Sequence, residues 1–94
     1  MAGASKAVVT VLGFDRKGII AKVSHVLFER GINILDISQT IVQGYFNMMM
    51  IVDVSSTDIP FGELTEELSR VGSEEIGVQI KCQKEEIFDL MHRI

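Results

Sequence analysis

Residues Val11–Thr40 read VLGFDRKGIIAKVSHVLFERGINILDISQT, and this stretch decides the fold. An apolar strand runs into a short polar turn, Gly13-Phe14-Asp15-Arg16-Lys17-Gly18. Ile20, Val23, Val26, Leu27 and Phe28 then recur near helical spacing, while Lys22, Ser24, His25 and Glu29 supply most of the polar side. The spacing predicts a helix over about residues 18–30, with Gly31 at a left-handed C-terminal cap. Gly31-Ile32-Asn33-Ile34 leads into a second strand. This layout sets the N–H groups of a helix start near the mouth of a sheet. Such a corner holds a small anion without any catalytic side chain, which points to binding rather than chemistry.

Working outward, Ala7–Leu12, AVVTVL, reads as a buried central strand. Ile32–Val42 is the second strand and Tyr45–Val54 the third, joined by a hairpin signal at Gln43-Gly44. In the third strand Phe46, Met48, Met50 and Val52 form the better core face. Tyr45, Asn47, Met49, Ile51 and Asp53 point the other way, and Met49 and Ile51 suit partial cover by a partner. Asp58 is expected to cap a second helix with Pro60 in its first turn, and Phe61, Leu64, Leu68 and Val71 mark its apolar stripe. Gly72 reads as its stop. Ile76, Val78, Ile80 and Cys82 alternate inward along a fourth strand. A short terminal helix is expected from about Lys84, with the stripe Ile87, Met91 and Ile94.

The order β-α-β-β-α-β is the split-βαβ, ferredoxin-like arrangement of the α+β class. Two helices lie on one face of a four-stranded antiparallel sheet. At 94 residues the chain makes one domain, 1–94, with its core in 6–83 and the terminal helix at about 84–94. Its 47% hydrophobic content is high for so small a fold and favours a homodimer.

The net charge is −4 without a dense basic run, which argues against nucleic-acid binding. No apolar run has membrane-spanning length, and Met1–Ser5 lacks a signal-peptide pattern, so a cytoplasmic protein is expected. Cys82 is the lone cysteine, which excludes a disulfide framework.

The fold hosts many functions, so the loop between the first strand and first helix must discriminate. It has no cysteine, against soft-metal transfer. Tyr45 and Phe46 point to opposite faces and the first strand has no aromatic residue, against base stacking. Arg16 and Asn47 are the residue types of an acylphosphatase-type hydrolase, yet the loop is too short to wrap a phosphate well. No nucleophile-base pair emerges from Ser24, Ser38, His25 or His92. The expectation is no enzyme, no cofactor and no metal. Asp15 has a simple structural role open to it as a cap of the first helix. Gln39 interrupts an apolar face of Leu35, Ile37 and Ile41, as a buried hydrogen-bonder or a bulge.

Asp15-Arg16-Lys17-Gly18-Ile19-Ile20 and Gly31-Ile32-Asn33-Ile34 resemble the ACT domain, a regulatory module that binds amino acids or other small ligands. The likeness runs from Lys6 to Cys82. Asp36-Ile37-Ser38-Gln39-Thr40 and the Tyr45-Phe46-x-Met48-Met49 run are similar to the small free-standing ACT proteins of bacteria and archaea, which carry no attached enzyme and have no assigned activity. Lys17 stands where many ACT loops carry proline.

The resemblance implies two sheets meeting edge to edge, with ligand between the loop of one subunit and the second strand of the other. The N–H groups near Lys17, Gly18 and Ile19 would take a carboxylate, with Arg16 at the rim. Asp15 or Asn33 would take an ammonium group, and Ile34 and Leu35 would give apolar contact. The implied protein is a homodimeric binding module for a small molecule such as an amino acid, signalling to a protein partner. The alternative is an interaction module without a ligand.

Overall fold

The computed structural model describes residues 5–86 and 88. The chain forms β1 (Lys6–Phe14), α1 (Ile19–Glu29), β2 (Asn33–Val42), β3 (Tyr45–Asp53), α2 (Phe61–Arg70), a π-helical segment Val71–Ile76, and β4 (Gln79–Lys84). The sheet is antiparallel with strand order β2-β3-β1-β4, as the ferredoxin-like reading requires. Of the expected terminal helix, Glu85, Glu86 and Phe88 are helical. The remainder, with Ile87, Met91 and Ile94, lies outside the described residues.

The alternation read from sequence sets the two faces. Val9, Val11, Met48, Met50, Val52 and Ile80 turn toward the helices and are buried. From the helices, Ile19, Val23 and Leu27 meet them at a spacing of four, with Leu64 and Leu68. Truncating one such leucine to alanine costs about 2–5 kcal/mol through lost transfer energy and a residual cavity. The core face of α1 is therefore narrower than its apolar residues suggest. Ile20 and Phe28 fall on the neighbouring stripe, and Phe28 is 78% exposed.

Several boundaries differ from the sequence reading, each for a physical reason. β1 runs on through Gly13 and Phe14, because Phe14 pairs with Tyr45 and the Asp15 N–H donates to the Gly44 carbonyl at 2.8 Å. The hairpin is a tight turn with positive φ at both Gln43 (51°) and Gly44 (83°), the geometry that matches strand twist. Pro60, not Asp58, occupies the N-cap of α2, and no side chain caps it. Gly72 does not stop the second helix. The backbone widens there, and the Gly77 N–H reaches back five residues to the Gly72 carbonyl at 2.7 Å. A Cβ on Gly72 would stand 2.7 Å from Ile80 Cγ1 and 2.8 Å from the Val78 carbonyl, so glycine allows this segment to press onto β4. Ile76 consequently belongs to the π-segment rather than to the fourth strand.

β2 is an edge strand that the helices scarcely cover. Leu35, Ile37 and Ile41 stay 43–56% exposed. Its register slips between Ile34 and Asp36, which makes Leu35 the bulged residue and leaves Gln39 in regular pairing with Met48.

Candidate functional site

The β1–α1 loop sits at one end of the sheet, and the β2–β3 hairpin closes over the same end. Gly18 is the N-cap of α1 at φ 86°, a left-handed conformation that costs glycine little. A Cβ there would meet nothing within 4 Å, so the backbone angle and not crowding sets this position. No side chain caps the helix, Asp15 included, and its first turn holds no acidic residue. The first intrahelical bond is Lys22 N–H to the Gly18 carbonyl at 3.0 Å. The N–H groups of Ile19, Ile20 and Ala21 are left without an intrahelical acceptor, at the positive end of the helix dipole.

This helix start opens on a cavity of about 500 Å³. Asp15, Arg16, Gly18 and Ile19 line it, together with Gln39, Ile41 and Phe46 from the β2–β3 side. Lys17 is exposed in the same loop. Arg16 leans across the end of the sheet toward Gly77: a Cβ on that glycine would come to 3.2 Å from its Nη1.

The structure thus brings together Asp15, Arg16, Lys17, Gly18 and Ile19. It places Asn33, Ile34 and Leu35 elsewhere in the same chain. Asn33 pairs with Asp53, which pairs with Lys6, at the opposite end of the sheet. Asn33 and Val42 are the two ends of the 10-residue β2, roughly 30 Å apart in extended chain. Reading single strands missed Gln39, Ile41 and Phe46 as neighbours of the loop. Gln39 was the visible signal: a polar residue on an otherwise apolar face, here exposed at the cavity wall.

Other chemistry finds less support in the geometry. Asn47 projects from the face of the sheet opposite α1 and α2, paired with Leu12 and Thr40, whereas Arg16 lies over Gly77. The pair that an acyl-phosphate hydrolysis needs on one phosphate is therefore split between two surfaces. Burial raises the Cys82 thiol to about 11, which keeps it protonated and unreactive near neutrality. Among the described residues no cluster of three His, Cys, Asp or Glu side chains could hold a metal ion. None of the helices there is long and apolar enough to cross a membrane.

A ferredoxin-like sheet with an uncapped helix start at its mouth is the architecture of a family of regulatory ligand-binding modules. The sequence profile of the ACT domain matches residues 5–83, and the chain belongs to the ACT domain family. It is 54% identical over 90 residues to a UPF0237 protein of Bifidobacterium longum, covering 96% of this chain and 99% of that one. A UPF0237 protein of the archaeon Methanocaldococcus jannaschii is 52% identical over the same length, with the same coverage. The solved structure of an ACT domain protein from Streptococcus pneumoniae superposes with a TM-score of 0.80 at 41% identity, covering 93% of this chain and 97% of that one. The resemblance seen in the loop and in the strand-two and strand-three motifs therefore extends over almost the whole sequence.

Proposed function

We propose that the protein is a regulatory binding module that takes a small zwitterion, an amino acid foremost, at a boundary between two copies. The observation that carries this reading is the uncapped α1 terminus facing a cavity of about 500 Å³ beside an exposed sheet edge. The N–H groups of Ile19, Ile20 and Ala21 are donors in search of an anion, and a carboxylate supplies one. Arg16 and Lys17 flank the mouth. Asp15 offers the negative group that an ammonium requires.

Asn33, Ile34 and Leu35 join this site only from a second copy. β2 has a free edge without proline or lysine, and Ile37, Ile41, Ile20 and Phe28 form an exposed apolar margin along it and on the adjoining helix. Antiparallel pairing of two such edges lays the Asn33 end of one β2 against the Val42 end of the other. That is the end where Asp15–Ile19 lies. The bulged Leu35 and Asn33 of one copy would then close the cavity of its neighbour.

Each charge-assisted hydrogen bond contributes about 1.5–3 kcal/mol before ordering costs. Two or three of them with modest apolar contact give roughly micromolar to millimolar affinity, suited to sensing a metabolite pool. A ligand held by both copies stabilises the pair by mass action and passes that preference to a protein partner.

Isothermal calorimetry against the common amino acids tests this, with Gly18→Val as the control. Heat of binding to the native protein that disappears in Gly18→Val supports the site. Silence across the whole set removes free amino acids as ligands and leaves the module as a ligand-free interaction surface.

A further inference from the structure

Val8 is buried on a face where neither α1 nor α2 can bury it. It is 2% exposed, yet it alternates with Ala7 and Val9, so it stands on the outer face of the sheet and outside the core cluster. Its neighbours in register, Ile51 on β3 and Gln83 on β4, are half-buried as well. Strand neighbours alone do not produce this burial. Leu12 is flanked in the same way by Asn47 and Gln79 and is 49% exposed. Exposure on the outer face rises away from Val8: Thr10 is half-buried, Met49 is 40% exposed and Phe14 63%. A further layer therefore rests on one row of the sheet, Gln83–Val8–Ile51.

The C-terminal end of the chain is placed to supply it. β4 ends at Lys84, opposite Ala7 and beside this row. Glu85, Glu86 and Phe88 follow as helix, and Phe88 is half-buried. Read as a helix, Glu85–Ile94 gathers Ile87, Phe88, Met91 and Ile94 on one side and Glu85, Glu86, Asp89, His92 and Arg93 on the other. Ten helical residues span roughly 15 Å. The sheet measures roughly 14 Å from β4 to β2. The N-terminal end fits less well. The Val54 N–H donates to the Ser5 carbonyl at 2.8 Å, so the chain entering β1 lies in the plane of the sheet. Met1–Ala4 also offers one large apolar side chain against four.

We propose that Glu85–Ile94 is an intramolecular cover, which crosses the outer face from β4 toward β2 and lays Phe88 and Met91 over Val8 and Ile51. Its cationic end, His92-Arg93, then arrives on the flank that carries Asp36, which pairs with Ile51. The cover withholds the Val8 row from any partner. It leaves the other end of the face, with Leu12, Phe14 and Tyr45, as the open part. It uses nothing of the Asp15–Ile19 corner and stands apart from the ligand reading.

A nitroxide on Asp89→Cys, on the polar side of the segment, tests this in the full chain. Cys82 is buried with its thiol pushed up to about 11, so the label goes to the new cysteine. The expected result is strong broadening of the Val8 and Ile51 methyl signals, weaker broadening at Leu12, and none at Val23 or Leu64 in the helix layer. Adding Met91→Glu should restore the Val8 and Ile51 signals and raise the binding of an apolar fluorescent dye severalfold. Unchanged Val23 and Leu64 signals would show that the core is intact. Spared Val8 and Ile51 signals overturn the proposal. So does a Met91→Glu chain that keeps the broadening or gains no dye binding. Equal broadening when a spin-labelled chain is mixed with an isotope-labelled, unmodified one also overturns it, because the occupant is then a second copy.

Discussion

The Arg30 guanidinium grips the Glu67 carboxylate with two parallel hydrogen bonds, Nε to Oε1 at 2.8 Å and Nη2 to Oε2 at 3.1 Å. The pair bridges the end of α1 to the flank of α2. The hydrogen bond to Glu67, followed by its charge, raises the arginine above its ordinary value, so it is always cationic. Asp58 stands 3.9 Å from Nη1 as a secondary partner. A planar fork on a carboxylate is the geometry in which an ion pair near the surface contributes to stability.

Arg30→Lys is expected to lower the melting temperature nearly as much as Arg30→Met, because lysine keeps the charge and loses the fork. A double-mutant cycle with Glu67→Gln should show non-additive losses. Additive melting shifts would mean that the two side chains stabilise the protein independently.

Asp53 ties the end of β3 to the following turn through acid-sensitive hydrogen bonds. Its Oδ1 accepts the Ser55 hydroxyl at 2.6 Å and the Ser55 N–H at 2.9 Å. These bonds, the hydroxyl first and the amide second, hold the carboxyl below its ordinary value, with a smaller contribution from the charge of Lys6. A depressed folded value means stability present above the unfolded carboxylate range and lost as pH falls through the folded value. Ser55→Ala should therefore move the Asp53 titration upward and make stability less steep below pH of about 4. Carboxyl NMR shifts through an acid titration check the sign.

Gly72→Ala tests the close approach of the π-segment to β4. The added methyl would meet a side chain at 2.7 Å and a main-chain carbonyl at 2.8 Å. Carbonyl oxygens do not move aside as flexible chains do. The expected loss is about 1–3 kcal/mol in urea unfolding, typical of overpacking. Gly62→Ala, on a helix where nothing lies within 4 Å of the new methyl, should instead be neutral or stabilising.

Among the described residues, Thr57 buries its hydroxyl oxygen without a hydrogen-bond partner. An orphaned buried polar group costs about 1–3 kcal/mol. Thr57→Val keeps the shape and removes the oxygen, so it should raise stability by about 1 kcal/mol. Chemical denaturation of the two proteins side by side decides this.

Element order and sheet faces were legible because period two and period four leave distinct marks. Phe46, Met48, Met50 and Val52 were assigned inward from alternation alone, and all four are buried. Phe28 misled, since an aromatic at near-helical spacing reads as core, yet Ile19, Val23 and Leu27 already fill the narrow contact of α1 with the sheet. Gln39 reads in sequence as a buried hydrogen-bonder or a bulge and is neither, being exposed and in regular pairing; the bulge falls at Leu35, because a slip in register belongs to the pairing of β2 with β3 and has no local signature. Gly72 looked like a terminator because the missing Cβ of a helix stop and of a close approach are the same in sequence. The corner at Asp15–Ile19 was readable from its turn and helix start. Its wall at Gln39, Ile41 and Phe46 was not, since those neighbours depend on cross-strand register.

The strand order has a consequence for the birth of the chain. β1 lies between β3 and β1's other neighbour, β4, yet it is synthesised before both. From Phe14 to Gln79 the ribosome must add a further sixty-five residues, which at about 5–20 residues per second takes on the order of 3–13 s. The AVVTVL segment therefore leaves the ribosome before either neighbouring strand, with both flanks unpaired. Until β4 follows, one flank of this segment stays open, and it is the stretch on which chaperone capture of the nascent chain would act.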